Sequence, residues 1–169
     1  MDYTLSMTEI KIRPLVPEDQ GWIISLLTDE WGSPMTVRRG QVDDASQLPG
    51  FTAVQQGENV GLVTFQIWGS ACEIVTLNSW RQNLGVGTAL IEAVKREALK
   101  AGCTRLWLIT TNDNLPALGF YQKRGFHLVA VHPKALEKSR QIKPSIPEFG
   151  LGGIPLRDEL ELEILLTEK

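Results

Sequence analysis

The stretch QNLGVG at residues 82–87, followed by TALIEAV at 88–94, carries more information about the fold than any other part of this chain. Its glycines, Gly85 and Gly87, stand directly before a run with helical periodicity, and CEIVTL at 72–77 is typical of a strand. A strand, a glycine turn and a helix start leave unpaired backbone N–H groups at the positive end of a helix dipole. The pattern therefore predicts a site for a phosphate or pyrophosphate group.

Two common phosphate-binding loops do not fit this stretch. A P-loop ends in Gly-Lys-Ser/Thr, whereas Thr88 and Ala89 follow Gly87 here. The dinucleotide fingerprint requires a third small residue three positions after its second glycine, and that position is Leu90. What does fit is the Gln/Arg-x-x-Gly-x-Gly/Ala signature of the GNAT family of N-acetyltransferases, which residues 82–87 resemble.

A second motif, NLPALGFYQKRGF at residues 114–126, is similar to the Asn-x-x-Ala-x-x-x-Tyr-x-x-x-Gly-Phe element of the same family. The positions that match it are Asn114, Ala117, Tyr121, Gly125 and Phe126. Two motifs in this order, separated by a predicted helix and strand, are more specific than either alone. The resemblance covers residues 60–131, and on it the chain is identified as a member of the GNAT family.

The order of elements predicts a mixed α/β sheet covered by helices, with antiparallel pairs at both ends. We expect helices from Pro17, from Val86 and over 115–124, and strands at 9–13, 51–54, 60–67, 72–78, 105–110, 126–131 and 159–164. The resemblance implies the GNAT acyltransferase fold, a mostly antiparallel sheet whose central parallel strands splay to admit the pantetheine arm of acetyl-CoA. We expect one domain over residues 1–169, large enough for a core at 43% hydrophobic residues.

Two long segments are predicted to be loops, the first irregular with one short helical turn and the second with helix formers at 133–143. Residues 29–50 are rich in Gly, Pro, Asp and Ser, and residues 132–157 form a long connection before the last strand. The resemblance implies that both border the pocket of the acceptor substrate. In the last strand Glu159, Glu161 and Glu163 alternate, which predicts a solvated edge.

Composition excludes several classes of protein. The net charge of −3 argues against an extended nucleic-acid surface, and no apolar run has membrane-spanning length. The two cysteines, Cys72 and Cys103, are expected to be reduced, which favours a cytoplasmic location. His127 and His132 lack partners at metal-ligand spacing, so no metal is expected. Relatives commonly form dimers, and the resemblance therefore allows for a homodimer.

The resemblance implies acetyl-CoA as the co-substrate and assigns residues to it. Backbone N–H groups of Gly85, Val86, Gly87 and Thr88 are expected to hold the pyrophosphate, with Gln82 at the start of the loop. Leu77 and Ser79 are expected to pair through their backbone with the pantetheine arm, and Asn114 and Ala117 to contact it. Each assignment has a structural alternative, since paired glycines also relieve helix–strand crowding and asparagine is a good helix N-cap.

Acyl transfer to an amine requires a deprotonated amine and a proton for the departing thiolate. Tyr121 is the predicted proton donor, since a phenol with a pKa of about 10 is protonated at neutral pH. Its alternative is a core aromatic residue. Glu73 on the central strand is the predicted base, with Glu30 as a second candidate, and Glu30 and Trp31 are predicted to contact the acceptor substrate.

The predicted function is transfer of the acetyl group from acetyl-CoA to a primary amine of a small molecule, by direct attack in a ternary complex. Neither cysteine has a recognisable nucleophile arrangement, so no covalent intermediate is expected. A protein or peptide N-acetyltransferase remains open as an alternative. So does a non-catalytic acyl-CoA-binding sensor, although Tyr121 counts against it.

Overall fold

The computed structural model describes residues 9–81 and 84–167. Its helices and strands are β1 (Lys11–Pro14), α1 (Gln20–Trp31), β2 (Met35–Arg38), β3 (Gln41–Asp44), β4 (Gly50–Gln55), β5 (Glu58–Trp68), β6 (Ala71–Ser79), α2 (Val86–Lys100), β7 (Arg105–Thr111), α3 (Leu115–Lys123), β8 (His127–His132), α4 (Ala135–Ile142) and β9 (Glu159–Leu165). The predicted mixed α/β architecture is confirmed. Each strand expected from sequence is present, with bounds that differ by one or a few residues.

Seven strands form one sheet in the order β1-β4-β5-β6-β7-β9-β8. All neighbours are antiparallel except β6 and β7, which run parallel. Their pairing starts at Ala71 and Arg105 and ends at Ile74 and Leu108, although both strands continue beyond it. The central strands therefore diverge and leave a gap in the sheet.

A β-bulge explains why β6 turns away. The pairing of β5 with β6 shifts between Thr64 and Phe65, because Thr64 pairs with Thr76 whereas Phe65 pairs with Ile74. One extra residue, Val75, is thereby inserted into β6 immediately after its last pair with β7. A bulge bends the strand that carries it, so β6 leaves β7 at this point.

Helices cover both faces of the sheet around β5. The apolar side of α2, with Val86, Leu90 and Val94 fully buried, packs in the main core against Val63 and other residues of β4–β6. On the opposite face Leu62 joins a smaller cluster with α1. Successive residues of a strand point to opposite faces, and helices cover both faces here. Residues on both sides of β5 are therefore apolar, which explains its uninterrupted apolar run.

Two expectations about the loops were incomplete. Residues 29–50 are not irregular throughout, since β2 and β3 form a hairpin in a separate two-stranded sheet. The sequence carries only a weak signal for it, because its turn is Arg39-Gly40 and not the more familiar Asn-Gly. The connection over 132–157 contains α4.

The expectation for the last strand was wrong. β9 is not an edge, because it lies between β7 and β8. Glu161 and Glu163 form ion pairs with Arg105 of β7, and Glu159 is only 2% exposed. Sequence order misleads here because the last strand inserts between two strands that precede it.

No helix in the part of the chain that the structure describes is long and apolar enough to cross a membrane.

Candidate active site

The loop between β6 and α2 leads into a helix start with free backbone donors. Gly85 caps the helix with a φ of 72°, a left-handed conformation that glycine adopts without strain. The first bond of the helix runs from the N–H of Ala89 to the carbonyl of Gly85. The N–H groups of Val86, Gly87 and Thr88 therefore precede the helical ladder and suit an anion. Gln82 lies outside the described residues.

Gly87 is required for packing as well. A Cβ atom at this position would lie 2.8 Å from Cζ of Phe120, closer than such atoms approach. Gly87 thus lets α3 pack directly against the start of α2. Relief of crowding was the structural alternative for the paired glycines. The structure shows it beside the free backbone donors, so one role does not exclude the other.

Arg124, which the sequence analysis did not single out, places a positive charge beside this helix start. Its Nε donates to Oγ1 of Thr88 at 2.8 Å, and its guanidinium carbon lies 3.4 Å from the ring centroid of Phe120. A cation stacked on an aromatic ring and hydrogen-bonded is held in one orientation. The family signature allows an arginine where Gln82 stands, and from the sequence the neighbouring Arg81 is the expected substitute; Arg81 and Arg124 both line the cavity at this helix start.

A cavity of about 540 Å³ opens in front of the helix start. Nine of the ten residues predicted to bind the co-substrate line it, namely Leu77, Ser79, Gly85, Val86, Gly87, Thr88, Asn114, Ala117 and Tyr121. Arg81, Pro116, Phe120 and Arg124 complete the lining. Residues brought together from β6, α2 and α3 thus share one cavity.

The gap between β6 and β7 exposes backbone groups to this cavity. The N–H of Trp80 donates to the carbonyl of Val60 on β5. Because alternate residues of a strand direct their backbone groups to opposite sides, those of Leu77 and Ser79 point away from β5 and into the gap. They are free to pair with an extended amide-containing ligand.

Tyr121 lies in α3 with its ring edge-on to Phe120 and Phe126, at centroid distances of 5.3 and 5.5 Å. Its side chain lines the cavity while the residue as a whole is only 9% exposed. Burial raises the pKa of its hydroxyl, because the phenolate would lose its hydration. Tyr121 is therefore protonated at neutral pH and can donate a proton.

Asn114 fills the structural role that the sequence left open, and its contact with the co-substrate stays a prediction. It is the N-cap of α3, and its Oδ1 accepts a hydrogen bond from the N–H of Ala117 at 3.2 Å. Its Nδ2 stays available as a donor. Asn114 also lines a second, larger cavity, so it marks the place where the two cavities meet.

The second cavity, of about 760 Å³, is bordered by the end of α1, the β2–β3 hairpin and the connection around α4. Both residues predicted to contact the acceptor, Glu30 and Trp31, line it. Val75 and Ile109 line it as well, so it reaches the gap between β6 and β7. Two cavities therefore approach the same opening in the sheet.

Specific hydrogen bonds hold the connection over this cavity. Asp113 accepts the N–H of Leu151 at 2.9 Å, and Nζ of Lys143 donates to the carbonyl of Met35 at 3.0 Å. A Cβ atom at Gly150 would lie 2.0 Å from Oδ2 of Asp113, so glycine is required for this contact. The connection is an ordered wall and narrows the cavity.

Glu73, the predicted base, is engaged elsewhere. It is 4% exposed, and both of its carboxylate oxygens accept hydrogen bonds from Arg38, which also pairs with Asp43 at 2.8 Å. Among the described residues that line either cavity, Arg38 is present and Glu73 is not. The base role of Glu73 stays a prediction, and this geometry favours a different carboxylate.

Glu159 at the start of β9 is a buried carboxylate that lines the second cavity. Its two oxygens accept the backbone N–H of Arg39 at 3.2 and 3.1 Å. Burial raises the pKa of Glu159, although the hydrogen bond from Arg39 and the charges of Arg39, His132 and Arg38 oppose this shift. The sequence analysis missed this residue because it assigned β9 to the edge of the sheet.

The cysteines lie in the core and are not paired with each other. Cys72 and Cys103 are both buried and unpaired, and burial raises the pKa of Cys72 to about 12. Its thiol is therefore protonated and unreactive at neutral pH. Within residues 9–81 and 84–167, no group of three or more His, Cys, Asp or Glu side chains has the geometry to hold a metal ion.

Known proteins resemble this chain in sequence and in fold. The model of the acetyltransferase (GNAT) family matches residues 14–126. YdhI of Bacillus subtilis (strain 168), an uncharacterized protein, is 46% identical over 140 residues, which are 80% of this chain and 88% of YdhI.

Solved structures of acetyltransferases share the fold. A Bacillus subtilis acetyltransferase in complex with CoA superposes with a TM-score of 0.68 at 19% identity, over 94% of this chain and 100% of that one. A GNAT family acetyltransferase from Elizabethkingia anophelis with acetyl-CoA bound gives a TM-score of 0.65 at 22% identity, over 93% and 98%. The family match spans more than half of the residues, and it includes both motifs and both strands that flank the gap. The chain belongs to the acetyltransferase (GNAT) family.

Proposed function

We propose that this protein transfers the acetyl group of acetyl-CoA to a primary amine of a small molecule, and that residues 1–169 act as a single domain. The observation that supports this most is the meeting of two cavities at the gap between β6 and β7, where Asn114 lines both. One cavity has the donors for a phosphorylated, amide-containing ligand. The other has the size for a small acceptor.

The first cavity fits acetyl-CoA, which supplies a reactive acetyl thioester. The free N–H groups of Val86, Gly87 and Thr88 are placed to bind its pyrophosphate, and Arg124 adds the charge that Gln82 lacks. Backbone groups of Leu77 and Ser79 are placed to pair with the pantetheine amides, with Nδ2 of Asn114 as a further donor.

Tyr121 is proposed as the proton donor to the departing sulfur. When the amine nitrogen forms the new C–N bond, the C–S bond breaks and the sulfur requires a proton. The amide nitrogen must lose a proton in the same reaction, so the hydroxyl of Tyr121 can be restored without net change. Direct attack of the amine needs no covalent enzyme intermediate. The thiol of Cys72 is buried and protonated, so it is unsuited to form one.

The wall beside the second cavity favours a small molecule over a polypeptide acceptor. A protein substrate needs an open groove for the residues on either side of its reacting amine. Here the wall formed by the connection after β8 is tied down by Asp113 and Lys143. Such a wall leaves room for a compact amine and restricts an extended chain.

Titration calorimetry of acetyl-CoA tests the assignment of the first cavity. Gly85→Glu places a carboxylate where the pyrophosphate is expected, and saturable binding should be lost through charge repulsion. Gly102→Glu is the matched control, because Gly102 also has a positive φ, of 79°, with open space around it at the other end of α2. Both variants carry the same backbone strain, and only the first should lose binding.

Thiol release with a panel of primary amines then tests the reaction. Turnover by the wild type supports the acetyltransferase. A folded wild type that binds acetyl-CoA but releases no thiol with any amine would favour an acyl-CoA-binding sensor. Absence of binding in the folded wild type would overturn the proposed function.

A further inference from the structure

The second cavity combines apolar walls with carboxylates. Trp31, Met35, Phe149 and Leu151 contribute large apolar surfaces that stay partly exposed, with Phe149 61% exposed. They come from three separate segments, namely the end of α1, β2 and the connection after α4. Exposed aromatic and aliphatic groups that converge on one cavity are typical of a site for a ligand with a hydrophobic part.

The charges that line this cavity do not cancel once their partners are counted. Three carboxylates line it, those of Glu30, Asp113 and Glu159, against the cations Arg38 and Lys143. The guanidinium of Arg38 is already neutralised by its two acidic partners in the hairpin and β6. The cavity therefore has more carboxylates than cations without an acidic partner, and it is suited to a cationic ligand.

The three carboxylates differ in burial and in the hydrogen bonds that they already accept. Asp113 is occupied by the N–H of Leu151 and the hydroxyl of Thr111, and Glu30 accepts a hydrogen bond from Nδ2 of Asn78. Glu159 receives a single backbone N–H, shared between its two oxygens. A carboxylate can accept about four hydrogen bonds. Glu159 is thus the most deeply buried of the three, and like Glu30 it accepts from a single donor.

We propose that Glu159 binds the ammonium group of the acceptor and removes its proton, and that the acceptor is a cationic amine with a hydrophobic substituent. This inference rests on the proposed function of the preceding subsection. One N–H proton of the ammonium passes to the carboxylate, which frees the nitrogen lone pair for attack. The carboxylic acid then returns this proton to water, so Glu159 is regenerated at each turnover.

The surroundings of Glu159 agree with this role. Arg38 of β2, Arg39 of the hairpin turn and His132 of β8 lie around it, and their charges oppose the rise in its pKa that burial causes. Burial at the same time brings its pKa nearer to that of the acceptor, which improves proton transfer. In this proposal Glu159 contacts the reacting amine and is therefore a catalytic residue.

Glu159→Gln tests this inference directly. The amide can keep the hydrogen bond from Arg39 but cannot accept the proton, so kcat/KM should fall by about 10²–10³-fold. Glu163→Gln is the matched control, with the same change on the same face of β9 but at an ion pair with Arg105 outside both cavities. It should stay within about twofold of the wild type.

The pH profile separates a chemical role from a structural one. For Glu159→Gln only the amine that is already neutral in solution can react. Its kcat/KM should therefore rise about tenfold per pH unit up to the pKa of the amine, near 10. The wild type should approach its plateau at lower pH. Identical profiles and rates in the two proteins would overturn the role of Glu159 and leave the acetyltransferase itself standing.

The substrate class is tested on the wild type alone, so it does not depend on the folding of a variant. 2-Phenylethylamine should have a kcat/KM at least about tenfold above that of ethylamine, and it should bind at least about tenfold more tightly than neutral 2-phenylethanol. Equal binding of the amine and the alcohol would overturn the cationic site. A preference for ethylamine would overturn the hydrophobic one.

The two failures can be told apart. If the wild type binds acetyl-CoA and 2-phenylethylamine but releases no thiol, the proposed reaction fails while the cation site stands. If thiol is released but 2-phenylethylamine is no better than ethylamine or 2-phenylethanol, the reaction stands and the substrate class is refuted.

Discussion

Removal of the Tyr121 hydroxyl is the most direct test of the proposed chemistry. Tyr121→Phe keeps the ring that packs edge-on against Phe120 and Phe126 and deletes a single oxygen. Tyr121 is 9% exposed, and the substitution takes one polar group out of a largely buried site. The free energy of unfolding should therefore stay the same or rise by about 1 kcal/mol.

The effect on the reaction should be much larger. General acid catalysis contributes about 10²–10⁴-fold, so the rate of the chemical step should fall by this factor. It corresponds to about 3–5 kcal/mol of transition-state free energy. Because burial raises the pKa of Tyr121, the hydroxyl stays protonated up to at least about pH 10, and the wild type should not lose activity by its ionisation below that pH.

The assay is single-turnover thiol release at saturating amine, with acetyl-CoA affinity and the melting temperature measured in parallel. An acetyl donor whose thiol has a lower pKa needs less protonation as it leaves. With such a donor the ratio of wild-type to variant rates should shrink. A variant rate equal to that of the wild type with acetyl-CoA, under conditions in which chemistry limits turnover, would remove Tyr121 from the proton transfer.

Three further perturbations probe the site and its support. Arg38→Met should lower the free energy of unfolding by about 3–5 kcal/mol, because it leaves the buried carboxylate of Glu73 unpaired; an unchanged midpoint of unfolding in guanidinium chloride would contradict this. Arg124→Gln should weaken acetyl-CoA binding about tenfold, and by a smaller factor at high salt, as measured by calorimetry at two ionic strengths. The control Arg96→Gln, at an exposed position, should leave acetyl-CoA binding unchanged. Asp19→Asn should lower stability at pH 7, since its arginine partner depresses the carboxylate pKa. That stabilisation is present above the unfolded pKa of about 4 and is lost as pH falls below it, so acid unfolding curves of the two proteins should converge, and parallel curves would refute it.

Much of the cofactor side of the site could be predicted because its signals are local. Gly85, Val86, Gly87 and Thr88 are consecutive, and their N–H groups are free because any helix leaves its first donors unpaired. Asn114 and Tyr121 lie on one short helix, where a spacing of seven residues fixes their relative placement. Both motifs were therefore readable before any tertiary contact was known.

The acceptor side depended on contacts between distant parts of the chain. The hydrogen bond from Arg39 to Glu159 joins residues 120 positions apart, and the pairing of Arg38 with Glu73 joins residues 35 apart. No periodicity or turn signal encodes such pairs. These contacts form only when the β2–β3 hairpin meets the main sheet, which places Arg38 against Glu73 and Arg39 against Glu159.

The sequence by itself determined the strands of the main sheet, α1 to α3, the helix start with free backbone donors and the tyrosine element, because glycine turns and periods of 2 and 3.6 residues act over a few positions. Tertiary structure alone decided that β9 inserts between β7 and β8, and which carboxylate faces the acceptor cavity. The alternation of Glu159, Glu161 and Glu163 is the same in an edge strand and in a central one. What differs is the neighbour on each side, and packing of the whole sheet selects that neighbour.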